Sequence, residues 1–478
     1  MTYEKIYVNG RFVESTSGRN IEVVNPATGE VFAEVPDGSA EDAERAVLAA
    51  KEAQADWAGR PAIERAGYLN KLAELLRKEG GVIGRVVTQE QGKQLAMATG
   101  EALWGADLMD YHAGWARRIE GEIIQSDASD ENILLYKVPV GVVSAILPWN
   151  FPIYVLIRKL SPALITGNTI VLKPSSETPL SALAFAGLAD RAGIPPGVIN
   201  VVTGRGSTVG RTLSSHPDVG MVTLTGSTEA GRQVMKSCSE NMARVSLELG
   251  GKAPAVVMAD ADLDLAVSCI QGGRISNAGQ VCNCVERVYV DNAVADDFIR
   301  RITDGMKSVT LGDGMGDPEM GPLVSREALE GVHAMVERAV AEGAALACGG
   351  HPADGFEKGY FYLPTVLTGC RQEMEIMQEE IFGPVLPIMK FDTEEEALTL
   401  ANDCRYGLTS TLYTSDYGTA MRFANGIQSG ELYINRQQGE AYQGYHAGWK
   451  GSGVGGDDGK HGMESYLKTR VVYMKYGA

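Results

Sequence analysis

Five short runs, residues 142–147, 169–172, 198–202, 221–224 and 245–247, are almost wholly apolar, and helical segments separate them. A strand with one wet face alternates apolar and polar residues, so a run that is apolar throughout must be buried on both faces. Parallel sheets are covered that way, because the helices that link their strands pack on either side. The pattern therefore predicts an α/β architecture from Gly141 onward. A second alternating series begins near 255–258 and continues through 288–290, which predicts another α/β unit. Ahead of the first series the chain reads as helical after a short extended start. Ser39 and Asp42 form a capping-box pattern before Ala43, Ala46, Val47, Ala50 and Trp57, and Pro61 suits a helix first turn before Leu69, Leu72, Leu75 and Leu76. The end of the chain differs: glycine-rich from 448 to 462, then β-like over 469–474, where a strand could pair with an edge of another subunit.

At 478 residues the chain is too long for a single core, so at least two large domains are expected. Its net charge of -18 argues against nucleic acid and anionic membranes as partners. The start, Met1-Thr2-Tyr3-Glu4-Lys5, lacks the basic and apolar regions of a signal peptide. Pro148, Asn150 and Pro152 interrupt the membrane-like stretch 141–157, which reads as strand, turn and helix start. Seven cysteines, an odd count without an export signal, point to reduced thiols in the cytoplasm. No Cys/His cluster has metal-site spacing, so no metal is expected.

Ligands of open α/β sheets bind at the carboxyl ends of strands, and several suggestive residues fall there. Lys173 ends one run, and Thr225-Gly226-Ser227-Thr228 leads from another into a helix whose N-terminus could meet a pyrophosphate. Gly204-Arg205-Gly206 lacks the dinucleotide fingerprint spacing and reads as a plain turn. Glu248 follows an apolar strand; desolvation would raise its pKa and make it a base near neutral pH, unless a nearby lysine simply pairs with it. Cys282, in Gly279-Gln280-Val281-Cys282, has the flexible polar setting of a reactive thiol, although most unpaired cysteines are small core residues. Asn150, held between Pro148 and Pro152, is either a rigid oxyanion donor or a turn asparagine satisfying the backbone.

Pro148-Trp149-Asn150-Phe151-Pro152, Lys173-Pro174, Thr225-Gly226-Ser227-Thr228, Glu248-Leu249-Gly250-Gly251-Lys252, Gly279-Gln280-Val281-Cys282 and Glu380-Ile381-Phe382-Gly383-Pro384 occur in that order. The series resembles the aldehyde dehydrogenase family over essentially the whole chain. The resemblance implies a Rossmann-like cofactor domain (1–118 and 139–248), an α/β catalytic domain (249–435), and an oligomerisation arm with a substrate-pocket loop (119–138 and 436–478). A homodimer or homotetramer follows from it.

By the same resemblance Cys282 is the nucleophile, Asn150 and the Cys282 N–H hold the oxyanion, and Glu248 activates the water that hydrolyses a thioester. The cofactor is NAD or NADP. Lys173 and Ser176 lie at the adenosine ribose, Gly226 and Ser227 near the pyrophosphate and nicotinamide, and Glu380 at the nicotinamide ribose, with Trp149 and Phe382 as further contacts. NAD-preferring relatives commonly carry a glutamate where this chain has Ser176, with Glu177 one residue on, so acceptance of NADP is expected. Val281-Cys282-Asn283-Cys284 and the stretch 433–449 resemble the branch that oxidises lactaldehyde and glycolaldehyde. Arg158, Glu440, Gln443 and His446 would line a polar pocket for small hydroxyaldehydes. Three other readings stand: a semialdehyde dehydrogenase with Arg158 in a carboxylate clamp, a non-catalytic structural homologue, and a Cys-His hydrolase. Cys284 reads as a bystander, the alternative being a disulfide partner of Cys282.

Overall fold

The computed structural model describes residues 5–476. The five apolar runs become the strands Val142–Ile146, Thr169–Lys173, Ile199–Val201, Val219–Thr225 and Arg244–Glu248, all parallel. In space the order is Arg11–Val13, Ile6–Val8, Ile199–Val201, Thr169–Lys173, Val142–Ile146, Val219–Thr225, Arg244–Glu248 and Gly453–Val454. The parallel series therefore starts in the middle with Val142–Ile146, builds outward to one side, then returns to build the other. Its switch point lies between Val142–Ile146 and Val219–Thr225, where a crevice opens at the carboxyl ends. The last strand reaches this sheet from the far end of the chain, Leu247 pairing with Val454.

A second, seven-stranded sheet carries six parallel strands, including Val385–Phe391, Arg287–Asp291, Pro254–Val257 and Thr409–Tyr413 in neighbouring positions. Strands Glu122–Gln125, Glu131–Pro139 and Leu467–Lys475 form a separate antiparallel sheet of three. Two of its strands are free edges, and Ile123 (76% exposed) and Tyr473 (67%) stand out into solvent. Among the described residues no helix is long and apolar enough to cross a membrane.

Local signals place the helices around the first sheet. Ser39 and Asp42 form a complete capping box on helix Ala40–Gly59, and Pro61 immediately precedes the 30-residue helix Ala62–Gln91. Pro152 opens helix Pro152–Ile165, where its missing N–H leaves no bond unmade. One expectation fails. Gly204-Arg205-Gly206 does not make a plain turn: Gly206–Gly210 is a wide helical turn, with the N–H groups of Thr208, Val209 and Gly210 converging on the Arg205 carbonyl. It runs directly into helix Arg211–Ser215.

Candidate active site

Cys282, Glu248 and Asn150 line one cavity of about 750 Å³. Glu248 reaches it as the last residue of strand Arg244–Glu248, Asn150 from the loop after the neighbouring-but-one strand, and Cys282 from the loop leading into Arg287–Asp291. That loop bends sharply, since Asn277 and Ala278 both sit in the left-handed region (φ 49° and 56°). Such strain persists only where surroundings enforce it. Here Asn277 Nδ2 donates to the carbonyls of Asn150 (3.2 Å) and Gln280 (3.3 Å), and Asn150 Nδ2 donates to Gln280 O at 3.0 Å. An amide nitrogen carries two hydrogens, so Asn150 retains one for the cavity while the first anchors it to the cysteine loop.

Glu248 is 3% exposed, and neither carboxylate oxygen has a hydrogen-bond partner among the described residues. Burial pushes its pKa up to about 8. No lysine pairs with it directly; the facing charge is His446, whose Nε2 lies 3.6 Å from Glu248 Oε2. Cys282 is partly exposed, whereas Cys284 is buried. Burial pushes the Cys284 thiol up to about 12, and Arg274 Nη1 donates to its sulfur at 3.2 Å, turning it into the core as a bystander.

The opposite wall is charged. Asn283 Nδ2 donates to Glu440 Oε1 at 2.8 Å, and His446 Nδ1 faces Glu440 Oε1 at 3.4 Å and Glu431 Oε1 at 3.1 Å. Arg158, from helix Pro152–Ile165, lies 2.8 Å from Asp458 and 3.8 Å from Glu440, with its guanidinium over the Tyr154 ring. Burial alone would lower the His446 pKa, but Glu440, Cys282, Glu431 and Glu248 together hold it well above the usual value. Gln443 lines the same cavity from an exposed position. Met97, Trp104, Tyr154 and Tyr442 complete the wall and are not signalled by any motif.

The cofactor candidates border the crevice. Lys173 is buried beside Gly210, with only the Pro174 carbonyl as acceptor (2.8 Å), and burial lowers its pKa to about 8. Ser176 is partly buried and Glu177 exposed. Gly226 differs from expectation in one respect: its N–H donates to the Glu248 carbonyl at 3.0 Å and is not free for an anion. The free donors lie beyond it, at the start of helix Thr228–Cys238, where Ser227 Oγ accepts from Ala230 N–H at 3.2 Å. Thr225 Oγ1 is buried without a partner among the described residues and lines the cavity from the strand end. Glu380 Oε1 accepts from Gly251 N–H at 2.8 Å, and burial raises its pKa to about 8. Trp149 and Phe382 meet edge to face, centroids 5.3 Å apart. A buried lysine, an orphaned hydroxyl and a helix N-terminus, all at the carboxyl ends of strands of one sheet, fit a phosphorylated dinucleotide.

Two buried ion clusters hold these loops and have no motif to announce them. Glu286 accepts from Lys252 Nζ (2.9 Å), Arg274 Nη1 (2.8 Å), Ile381 N–H (2.8 Å) and Phe382 N–H (3.2 Å). Arg274 also donates to the Gly383, Val285 and Gly279 carbonyls. The cluster thus ties the Cys282 loop to the Glu380 loop and keeps Phe382 at its positive φ of 52°. Behind Asn150, Lys93 Nζ donates to Asn150 O (2.6 Å) and Glu101 Oε2 (2.7 Å), while Glu101 Oε1 accepts from Ile153 N–H and Tyr154 N–H. The only sequence trace of either cluster is charge beside apolar runs, as in Val285-Glu286-Arg287-Val288.

A switch-point crevice opening onto a cavity with a thiol and a buried carboxylate has the form of an NAD(P)-dependent oxidoreductase. The chain belongs to the aldehyde dehydrogenase family, whose model matches residues 12–472. It is 52% identical to lactaldehyde dehydrogenase of Escherichia coli (strain K12) over 472 residues, 98% of each chain. A crystal structure of lactaldehyde dehydrogenase from Escherichia coli superposes with a TM-score of 0.97 at 51% identity, covering 99% of each chain. A structure of 3,6-anhydro-L-galactose dehydrogenase in complex with NADP superposes equally well, at TM-score 0.97 and 44% identity, over 99% of this chain and 100% of that one. The protein is an aldehyde dehydrogenase that uses NAD or NADP.

Proposed function

We propose that this enzyme oxidises small hydroxyaldehydes, such as lactaldehyde or glycolaldehyde, to their acids through a thioester on Cys282. The observation that carries the reading is the charged wall of Arg158, Glu440 and His446 facing the thiol across one cavity. Such a wall suits a substrate with hydroxyls, because a fatty chain would press apolar surface against buried charges. The 52% identity to a lactaldehyde dehydrogenase supports the same substrate class.

Cys282 attacks the aldehyde carbon, and the oxyanion receives the second Asn150 amide hydrogen and the Cys282 N–H. Bound NAD(P) supplies the hydride acceptor. Lys173 and Ser176 would hold its adenosine ribose, Gly226 and Ser227 would border the pyrophosphate, and Glu380, Trp149 and Phe382 would flank the nicotinamide end. Glu248 then takes a proton from the water that cleaves the thioester. Arg158, Glu440, Gln443 and His446 orient the hydroxyl-bearing end of the substrate. Ser176 leaves no carboxylate at the position where one would repel a 2′-phosphate, which supports use of NADP.

The domain assignment is 1–118 and 139–248 for cofactor, 249–435 for catalysis, and 119–138 with 436–478 for arm and pocket loop. The exposed apolar edges of the three-stranded sheet support a homodimer or homotetramer joined through that arm. The cellular site we assign is the cytoplasm. A panel of lactaldehyde, glycolaldehyde, succinate semialdehyde and a fatty aldehyde, assayed with NAD and NADP, tests the reading. The highest kcat/KM should fall on a hydroxyaldehyde; a preference for the fatty aldehyde would overturn it.

A further inference from the structure

The catalytic groups and the charged wall leave most of the cavity unused. Lactaldehyde displaces about three waters, or ~90 Å³ at ~30 Å³ each, whereas the cavity holds about 750 Å³. Apolar side chains line much of the remainder. Met97 and Trp104 come from helix Leu95–Ala113, Phe151 and Tyr154 from the start of helix Pro152–Ile165, and Tyr442 from the loop after strand Glu431–Ile434. One face of Phe151 already carries the Lys93 ammonium (3.7 Å), and one face of Tyr154 the Arg158 guanidinium (4.8 Å). The main unspent aromatic surface is therefore that of Trp104, which is 45% exposed. Positions 97, 100 and 104 follow one another along one helix face. Gly100 lets the indole lie down on that face, since a Cβ there would meet Trp104 Cζ2 at 3.1 Å. The indole thus leans back over the turn that precedes it, toward Met97, as long helical side chains do. A large apolar group left open to solvent beside a catalytic cavity marks a binding surface.

We propose that the enzyme also oxidises hydroxyaldehydes that carry an aryl group, with the ring against Trp104 and Met97 and the hydroxyl against the charged wall. The proposal rests on the hydroxyaldehyde reading and deepens it by naming what fills the rest of the cavity. A flat ring suits a fixed indole with a thioether on the same helix face, because ring pairs and sulfur–ring contacts gain beyond the area they bury. A flexible chain of equal size would have to be ordered along the same wall, a cost that a ring avoids. The covalent steps are those of a small aldehyde. Sγ of Cys282 bonds to the carbonyl carbon as the thiol proton is released, and that carbon loses its hydride to NAD(P)+. Water then replaces sulfur, the C–S bond breaks, and the thiol is restored as the acid leaves with the release of its proton. The aryl group stands away from the carbonyl carbon and takes no part in these steps.

The test compares kcat/KM of the full-length enzyme, with NAD and with NADP, for lactaldehyde, phenyllactaldehyde and hydrocinnamaldehyde. The second adds a phenyl ring to the first, and the third keeps the ring but lacks the hydroxyl. Phenyllactaldehyde should exceed lactaldehyde by about tenfold, mainly through a lower KM. Trp104→Ala, a change at a half-exposed helix position, should cut that advantage to about threefold or less. Gly100→Ala keeps the indole but lifts it off the helix, and should cut the advantage partway. An advantage below about threefold in the wild-type enzyme overturns the proposal and needs no variant to fold. An advantage that survives undiminished in folded Trp104→Ala overturns it as well. If hydrocinnamaldehyde is oxidised better than phenyllactaldehyde, the hydroxyaldehyde reading itself falls, and the proposal with it.

Discussion

The guanidinium of Arg158 lies 2.8 Å from the carboxylate of Asp458, and both groups are almost wholly out of solvent. A cation so neutralised has little left to offer a substrate carboxylate, and its second neighbour, Glu440, is also acidic. This geometry separates hydroxyaldehydes from semialdehydes. Succinate semialdehyde should therefore have a lower kcat/KM than lactaldehyde. Asp458→Asn should raise the ratio of the two in favour of the semialdehyde by about tenfold, the equivalent of roughly 1.4 kcal/mol. An unchanged ratio in a folded variant would show that Arg158 does not meet the distal end of the substrate.

Asn150 spends one amide hydrogen on Gln280 O and has one left for the cavity. Asn150→Ala should lower kcat by about 10²–10³-fold, the usual loss of one oxyanion donor, with a much smaller change in cofactor Kd. A kcat within about threefold of wild type would remove it from the oxyanion site.

Ser176 is the residue on which cofactor choice turns. Ser176→Glu places a carboxylate where a 2′-phosphate would approach, and the ratio of kcat/KM for NADP to that for NAD should fall by about tenfold or more. The measurement is a pair of steady-state titrations, and an unmoved ratio would shift the selectivity to Glu177.

The buried pair Lys93–Glu101 supports Asn150 from behind. Removing one partner strands the other charge in the core, so Glu101→Ala should cost about 3–5 kcal/mol of stability, read by denaturant unfolding. Its loss should also lower kcat, because Glu101 caps the helix that follows Asn150. A variant as stable as wild type would mean that Lys93 finds another partner.

The parallel strands were legible because burial on both faces leaves unbroken apolar runs, and Val142–Ile146 through Arg244–Glu248 follow those runs to within a few residues. Cys282, Glu248 and Asn150 were legible through the motifs around them, and the structure brings all three to one cavity. The charged wall was only partly legible. Arg158, Glu440 and His446 were expected at the pocket, yet no motif marks Glu431, Asp457 or Asp458. Asp457 and Asp458 are buried by contacts with a segment about three hundred residues away, Asp458 with Arg158 and Asp457 with Lys159. The clusters around Glu286 and Lys93 were hidden because they join helices and loops that no motif links. Gly204-Arg205-Gly206 reads as a plain turn because glycine signals a turn but does not say whether a helix begins in it, as one does at Gly206.

The most direct test of the thioester account is single-turnover kinetics of Glu248→Gln. Burial pushes Glu248 up to about 8, and a base acts when deprotonated, so wild-type thioester hydrolysis should slow about tenfold for each pH unit below that value. Aldehyde mixed with Glu248→Gln and NAD or NADP should give a burst of about one reduced cofactor per site, followed by almost no turnover. Steady turnover at the wild-type rate, without a burst, would contradict the assignment of Glu248 as the group that activates water at the Cys282 thioester.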